Sequence, residues 1–118
     1  MISDCTKYTE YIDKALSTFN LNNDIVCYRG VCKEEFNTLL KDSCLKGFTS
    51  MSVNHNVAKA FVERNKDGKL VVFKIKKGTD GAYIGDNSTY PEEQEFLLSR
   101  NARFTSKIVN NILEVEID

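Results

Sequence analysis

The chain has no excess of either charge: sixteen lysines and arginines stand against seventeen aspartates and glutamates over 118 residues, a formal net charge of -1. The positive field that draws proteins onto nucleic acid regardless of sequence is therefore missing. Also missing is any run of about 18 apolar residues, which excludes a membrane-spanning helix. Met1-Ile2-Ser3-Asp4 lacks the basic stretch and apolar segment that open a secretory signal, so a cytoplasmic location with reduced thiols is expected. One histidine, His55, and four cysteines, Cys5, Cys27, Cys32 and Cys44, with no Cys-x-x-Cys among them, make no zinc set, and no metal is expected. No internal repeat, no linker rich in Pro, Gly or Ser and no block of like charge divides the chain. Its length suits one domain, residues 1–118.

What is present is ordinary globular material, 42% hydrophobic and 10% aromatic, enough for a single core. Tyr8, Ile12, Ala15, Leu16 and Phe19 recur at helical spacing, which predicts an amphipathic helix over residues 4–19 with Ser3 or Asp4 as its cap. A short β-rich run over 25–28 ends at Gly30, and residues 33–42 form a helix with Phe36, Leu39 and Leu40 on one face. Residues 47–52 are extended. From Asn54 a stripe of Val57, Ala58, Phe61 and Val62 predicts a helix stopping near Asn65, where His55 caps or faces solvent. Residues 66–69 turn, and 70–76 form the clearest strand, Val71, Phe73 and Ile75 alternating with Val72, Lys74 and Lys76. Strands are also predicted over 81–85, 93–99, 102–108 and 112–117, with a turn-rich loop over 86–91. Helices first and strands afterwards is the α+β pattern.

The densest polar feature is Tyr90-Pro91-Glu92-Glu93-Gln94-Glu95. If the backbone is extended from Glu93, its period of two places Glu93 and Glu95 on one face and Gln94 on the other. One carboxylate of such a pair can stabilise a developing positive charge while the other takes a proton, and their repulsion raises one pKa. Arg29, beside Gly30, can meet a phosphate in bidentate fashion. Ser50 and Ser52 are two apart and can face one way, where a hydroxyl orients a carboxylate. Taken singly, the same residues also suit a solvated acidic turn, a surface arginine and loop serines.

In order, Tyr28-Arg29-Gly30, Phe48-Thr49-Ser50-Met51-Ser52 and Tyr90-Pro91-Glu92-Glu93-Gln94-Glu95 resemble the Arg, Ser-Thr-Ser and Glu-x-Glu signature of the mono-ADP-ribosyltransferases of the cholera and clostridial C2/iota-toxin type, a family also found in bacteriophages. The resemblance continues through Ala58-x-x-Phe61-x-x-Arg64, Gly81-Ala82-Tyr83-Ile84 and Phe96-Leu97-Leu98-x-Arg100-x-x-x-Phe104, and covers roughly residues 24–117. It departs at Met51, where threonine is usual. The region before Arg29 is also shorter than in the toxins, which leaves the nicotinamide-side wall to be completed by a partner or not at all.

The resemblance implies an ADP-ribosyltransferase fold in which NAD lies in a cleft between two antiparallel sheets flanked by helices. It implies cleavage of the bond between nicotinamide and ribose, a glycosidic cleavage whose leaving group is already cationic. In this reading Glu95 hydrogen-bonds the ribose and stabilises the developing cation, Ser50 holds Glu95, and Arg29 grips the diphosphate. Tyr28, Gly30 and Ser52 share that binding surface, Phe61 packs near the nicotinamide and Arg64 adds a phosphate contact. Glu93 orients or deprotonates the acceptor, and Tyr90, in the ARTT loop, recognises the target. Tyr83 is assigned to the core. Glutamate at 93 resembles the arginine-modifying subgroup, so an arginine of a target protein is the expected acceptor, as for a toxin or phage effector, with RNA or small-molecule acceptors known on the same core. An NAD glycohydrolase, or a non-catalytic module that occludes a partner, would use the same scaffold.

Overall fold

The structure is a computed structural model that describes residue 21, residues 23–84 and residues 94–118. The helix expected over 4–19, Cys5, Tyr90 and Glu93 lie outside the described residues. Eight strands are described: β1 (Ile25–Val31), β2 (Cys44–Leu45), β3 (Thr49–Ser52), β4 (Lys69–Ile75), β5 (Gly81–Tyr83), β6 (Glu95–Leu98), β7 (Ala102–Val109) and β8 (Ile112–Ile117). Helices α1 (Lys33–Lys41) and α2 (His55–Arg64) follow β1 and β3. The arrangement is α+β, as the chain pattern predicts.

The strands hydrogen-bond in one order, β2-β7-β8-β4-β1-β3-β6-β5. All partners are antiparallel except β4 and β8, which run parallel. Two separate antiparallel sheets are thus not what the pairing shows. Instead, β1 pairs with β4 from Ile25↔Ile75 to Val31↔Lys69 but meets β3 at Tyr28↔Ser52 alone. A five-strand half and a three-strand half are joined at that residue pair. The β7–β8 hairpin turns on Asn110 and Asn111, at φ 52° and 66°, the left-handed values that a two-residue hairpin turn needs and asparagine tolerates.

Alternation places the core. Cys27 and Val31 of β1, Val71, Phe73 and Ile75 of β4 and Leu113, Val115 and Ile117 of β8 are all buried on one face. Leu39 of α1 covers this face and is 3% exposed, whereas Leu40, predicted to share it, is 41% exposed. Successive helical residues diverge by about 100°, so only one of the two can point inward. Tyr83, predicted as core, is 48% exposed, because it ends β5, which among the described strands has a neighbour on one side only. The β1 strand does not stop at Gly30. It continues to Val31 because β4 supplies partners throughout, and glycine serves a packing purpose there: a Cβ at Gly30 would lie 2.5 Å from Phe61 Cδ1 of α2. The two-residue strand β2 was not predicted, being too short to show a period.

Two measurements test this packing. Gly30→Ala is expected to lower stability by about 1–3 kcal/mol in urea denaturation, since the ring of Phe61 must move away from β1. The Cys27 thiol is pushed from its ordinary 9.0 up to about 12 by burial. The folded thiol therefore stays protonated while an unfolded one ionises, so this group's contribution to stability is full below 9.0 and lost as pH rises towards 12. At about pH 8, iodoacetamide should alkylate exposed Cys32 and leave Cys27 unmodified until denaturant is added, read by peptide mass spectrometry.

Candidate functional site

The junction between the two halves of the sheet carries the polar residues. Tyr28↔Ser52 and Ser52↔Glu95 are register pairs, so Tyr28, Ser52 and Glu95 stand side by side across β1, β3 and β6. Ser50, two residues before Ser52, shares their face, and its hydroxyl donates to Glu95 Oε2. Met51 between the serines belongs to the buried core and is 3% exposed, so the residue that departs from the Ser-Thr-Ser pattern is one the core readily accepts.

Glu95 opens β6 directly after Gln94, whose φ is 49°. The extended run expected from Glu93 therefore does not hold: Gln94 is left-handed, and alternation does not extend back across it. The Gln94 carbonyl still accepts the Val53 N–H at 3.1 Å, beside the last register pair of β3 and β6.

Ser52 is 5% exposed, and its Oγ accepts the Asn54 N–H at 2.9 Å. Asn54 in turn caps α2, its Oδ1 accepting the Asn56 N–H at 3.0 Å. Consecutive polar side chains thus start the helix just beyond the strand. His55, exposed at the first helical position, sets its ring edge-on to Tyr28, with centroids 5.2 Å apart. Further along, Phe61 lies against Gly30 and Arg64 reaches the same cavity from the last turn.

Arg29 spans the gap where β1 and β3 cease to pair. Its Nη1 donates to the Ser50 carbonyl at 2.7 Å. Its Nε and Nη2 donate to Glu35 Oε2 and Oε1 at 2.7 and 3.2 Å, a bidentate ion pair with the first turn of α1. Glu35 was not among the sequence candidates. An acidic residue in the first turn of a helix is common on dipole grounds alone, and no periodicity sets this one apart from Glu34.

These groups line one cavity of about 390 Å³, which brings together Tyr28, Arg29, Gly30, Ser50, Ser52, Phe61, Arg64 and Glu95, every described residue that the family resemblance assigned to the site. A second cavity of about 330 Å³ shares Arg29 and Glu35 with the first and extends past Thr38, Asp42 and Phe48. Two guanidinium groups beside a carboxylate held by a hydroxyl can accept an anionic group next to a centre that becomes cationic. Among the described residues no three His, Cys, Asp or Glu side chains gather where a metal ion could be held.

Comparison with known proteins bears on the family and the fold. The family model described as ADP-ribosyltransferase exoenzyme matches residues 1–116. The chain is 50% identical over 109 residues to the NAD(+)–arginine ADP-ribosyltransferase EFV of Enterococcus faecalis, a match covering 90% of this chain and 22% of that protein, so the chain spans about a fifth of its curated relative. The fold is that of Plx2a, an ADP-ribosyltransferase toxin from Paenibacillus larvae (TM-score 0.68, 24% identity, 98% of this chain and 72% of that one). It is also that of C3stau2 from S. aureus, solved with NAD (TM-score 0.77, 16% identity, 98% and 72%). With a family model that spans nearly its whole length and a relative identical at half of the aligned positions, the chain belongs to the ADP-ribosyltransferase exoenzyme family.

Proposed function

We propose that the chain is an NAD-dependent mono-ADP-ribosyltransferase that modifies an arginine of a target protein in the cytosol and releases nicotinamide. The observation that carries this reading is Ser50: its hydroxyl holds the Glu95 carboxylate while its carbonyl anchors the Arg29 guanidinium. One residue thus couples the anion that a developing cation needs to the cation that a diphosphate needs. The shape of the site fits the substrate. A dinucleotide has two halves joined by a diphosphate, and two cavities meet here with Arg29 on their shared wall. The Glu95 cavity is then the place for the nicotinamide riboside half, and the cavity between α1 and β2 for the adenosine half.

The chemistry follows from charge placement. When the ribose C1′–N bond breaks, the electron pair leaves with the pyridine nitrogen, nicotinamide departs neutral and C1′ becomes cationic. Glu95, fixed by Ser50 rather than free to rotate, stabilises that charge without reorganising at the moment of reaction. No general acid is required for a leaving group that starts as a cation. The new C1′–N bond forms to a guanidino nitrogen, which gives up a proton. A guanidinium holds its proton far above neutral pH, so a second carboxylate beside it is needed to take that proton, the part assigned to Glu93, with Tyr90 meeting the target. The arginine acceptor is supported by the glutamate at 93 and by the name of the Enterococcus relative.

Incubation with labelled NAD and a cell lysate tests the reading. Glu95→Ala should lower nicotinamide release at least about 100-fold and abolish labelling together with it. Loss of the label on hydroxylamine treatment identifies arginine as the acceptor. Absence of both signals from the wild type would mean a module that only occludes its partner. Glu93→Gln should keep slow NAD hydrolysis and lose transfer; equal loss of both activities contradicts the separate duties given to the two glutamates.

A further inference from the structure

Arginine presents five N–H donors in one rigid plane. Three of those of Arg29 are engaged: Nε–H and one Nη2–H by Glu35, one Nη1–H by the Ser50 carbonyl. Among the described residues this leaves one donor on each Nη without a partner. A guanidinium bonded through three of its donors is restrained in its plane, and the directions of the remaining two are fixed with it. Resting on the reading of Arg29 as the diphosphate partner, we propose that Glu35 is a positioning residue that fixes the plane of this guanidinium, so that its remaining N–H groups are preset in direction for a phosphate group.

Glu35 is placed to do this. It stands in the first turn of α1, a helix that begins at Lys33 directly after the β1 strand that carries Arg29, and α1 is anchored by buried Leu39 and by Phe36 packed on the core. The anchor is therefore a helix fixed to the core and not a loop. Two effects of Glu35 oppose each other at a phosphate. Its negative charge weakens attraction of an anion to Arg29, and its bidentate grip removes the entropy that an unheld arginine loses on binding. The two side chains are 33% and 36% exposed, so water screens the charge effect, whereas the geometric one is not screened. Orientation should win.

The signs of the two effects make the test decisive. Nicotinamide release gives KM and kcat, and calorimetric titration with ADP-ribose gives binding without catalysis. Glu35→Ala is expected to raise KM for NAD about tenfold and weaken ADP-ribose to the same extent, with kcat reduced less than about threefold, because a diphosphate grip acts alike on substrate and transition state. Glu35→Gln keeps one acceptor and the same shape, and should return KM to within about threefold of the wild type; thermal melting of both variants identifies any loss of folding, and if the Ala variant unfolds the test is carried by Glu35→Asp, which keeps the charge but shortens the reach and should raise KM about tenfold as well. If both variants lower KM and tighten ADP-ribose, Glu35 acts only through charge and the proposal is overturned. Unchanged constants in both overturn it as well. A wild type that neither binds ADP-ribose nor releases nicotinamide brings down the enzymatic reading itself, a result separate from an active wild type indifferent to Glu35.

Discussion

The contact on which the site depends is the single register pair between β1 and β3, Tyr28 with Ser52. Had these strands paired along their length, backbone hydrogen bonds would close the gap that the Arg29 guanidinium now enters. Because pairing stops after one residue, the Ser50 carbonyl is available to a side chain, and Arg29 supplies the donor at 2.7 Å. The break costs ladder hydrogen bonds and gains a fixed cation at the sheet's centre, beside the strand pair β3–β6 that presents Ser50 and Glu95. Both halves stay rigid on either side of it: β1 by its full pairing with β4, β3 by its pairing with β6 from Thr49↔Leu98 to Ser52↔Glu95.

Packing keeps the gap in register. The absent side chain at Gly30 admits Phe61, which brings α2 close against β1, and the same helix is started by Ser52 and Asn54. A comparable device acts at the other half, where a Cβ at Gly81 would meet Phe96 Cζ at 2.5 Å, so that β5 lies close over the ring that follows Glu95. Two glycines thus set how near flanking elements come to the residues next to Arg29 and Glu95. The buried ring of Phe96 and the held carboxylate of Glu95 are adjacent in sequence and opposite in face, one fixing the strand and the other using it.

Much of this was legible in the chain. Alternation in Val71, Phe73 and Ile75 located the central strand, helical spacing located both described helices, and the motif order pointed to residues that do converge on one cavity. The rest is hidden in the sequence for physical reasons. The left-handed backbone at Gln94 carries no residue-type signal, since glutamine is not a habitual occupant of that region. A two-residue strand such as β2 has no measurable period. The exposure of Tyr83 depends on β5 being an edge among the described strands, a property of topology and not of local sequence. Glu35 depends on a long-range partner: its importance lies in meeting Arg29, and an acidic first helical turn is too common to announce that.

Charge accounting then separates this site from a simple anion trap. Among the described residues, the charged side chains lining the first cavity are Arg29 and Arg64 against Glu35 and Glu95, a set with no excess of cation, within a chain whose net charge is -1. Neither the whole molecule nor the cavity offers a cationic field large enough to hold a phosphate by attraction alone. An anionic group can then be held only through donors fixed in direction, in a place where the carboxylates are already satisfied by other partners: Glu35 by Arg29, Glu95 by Ser50. In the proposed function Glu95 faces a centre that becomes positive, and an excess of lysine or arginine around it would oppose that chemistry. The absence of a cationic excess and the rigidity of the donors are in this respect what the proposed phosphate grip and cation-stabilising carboxylate would require of one small cleft.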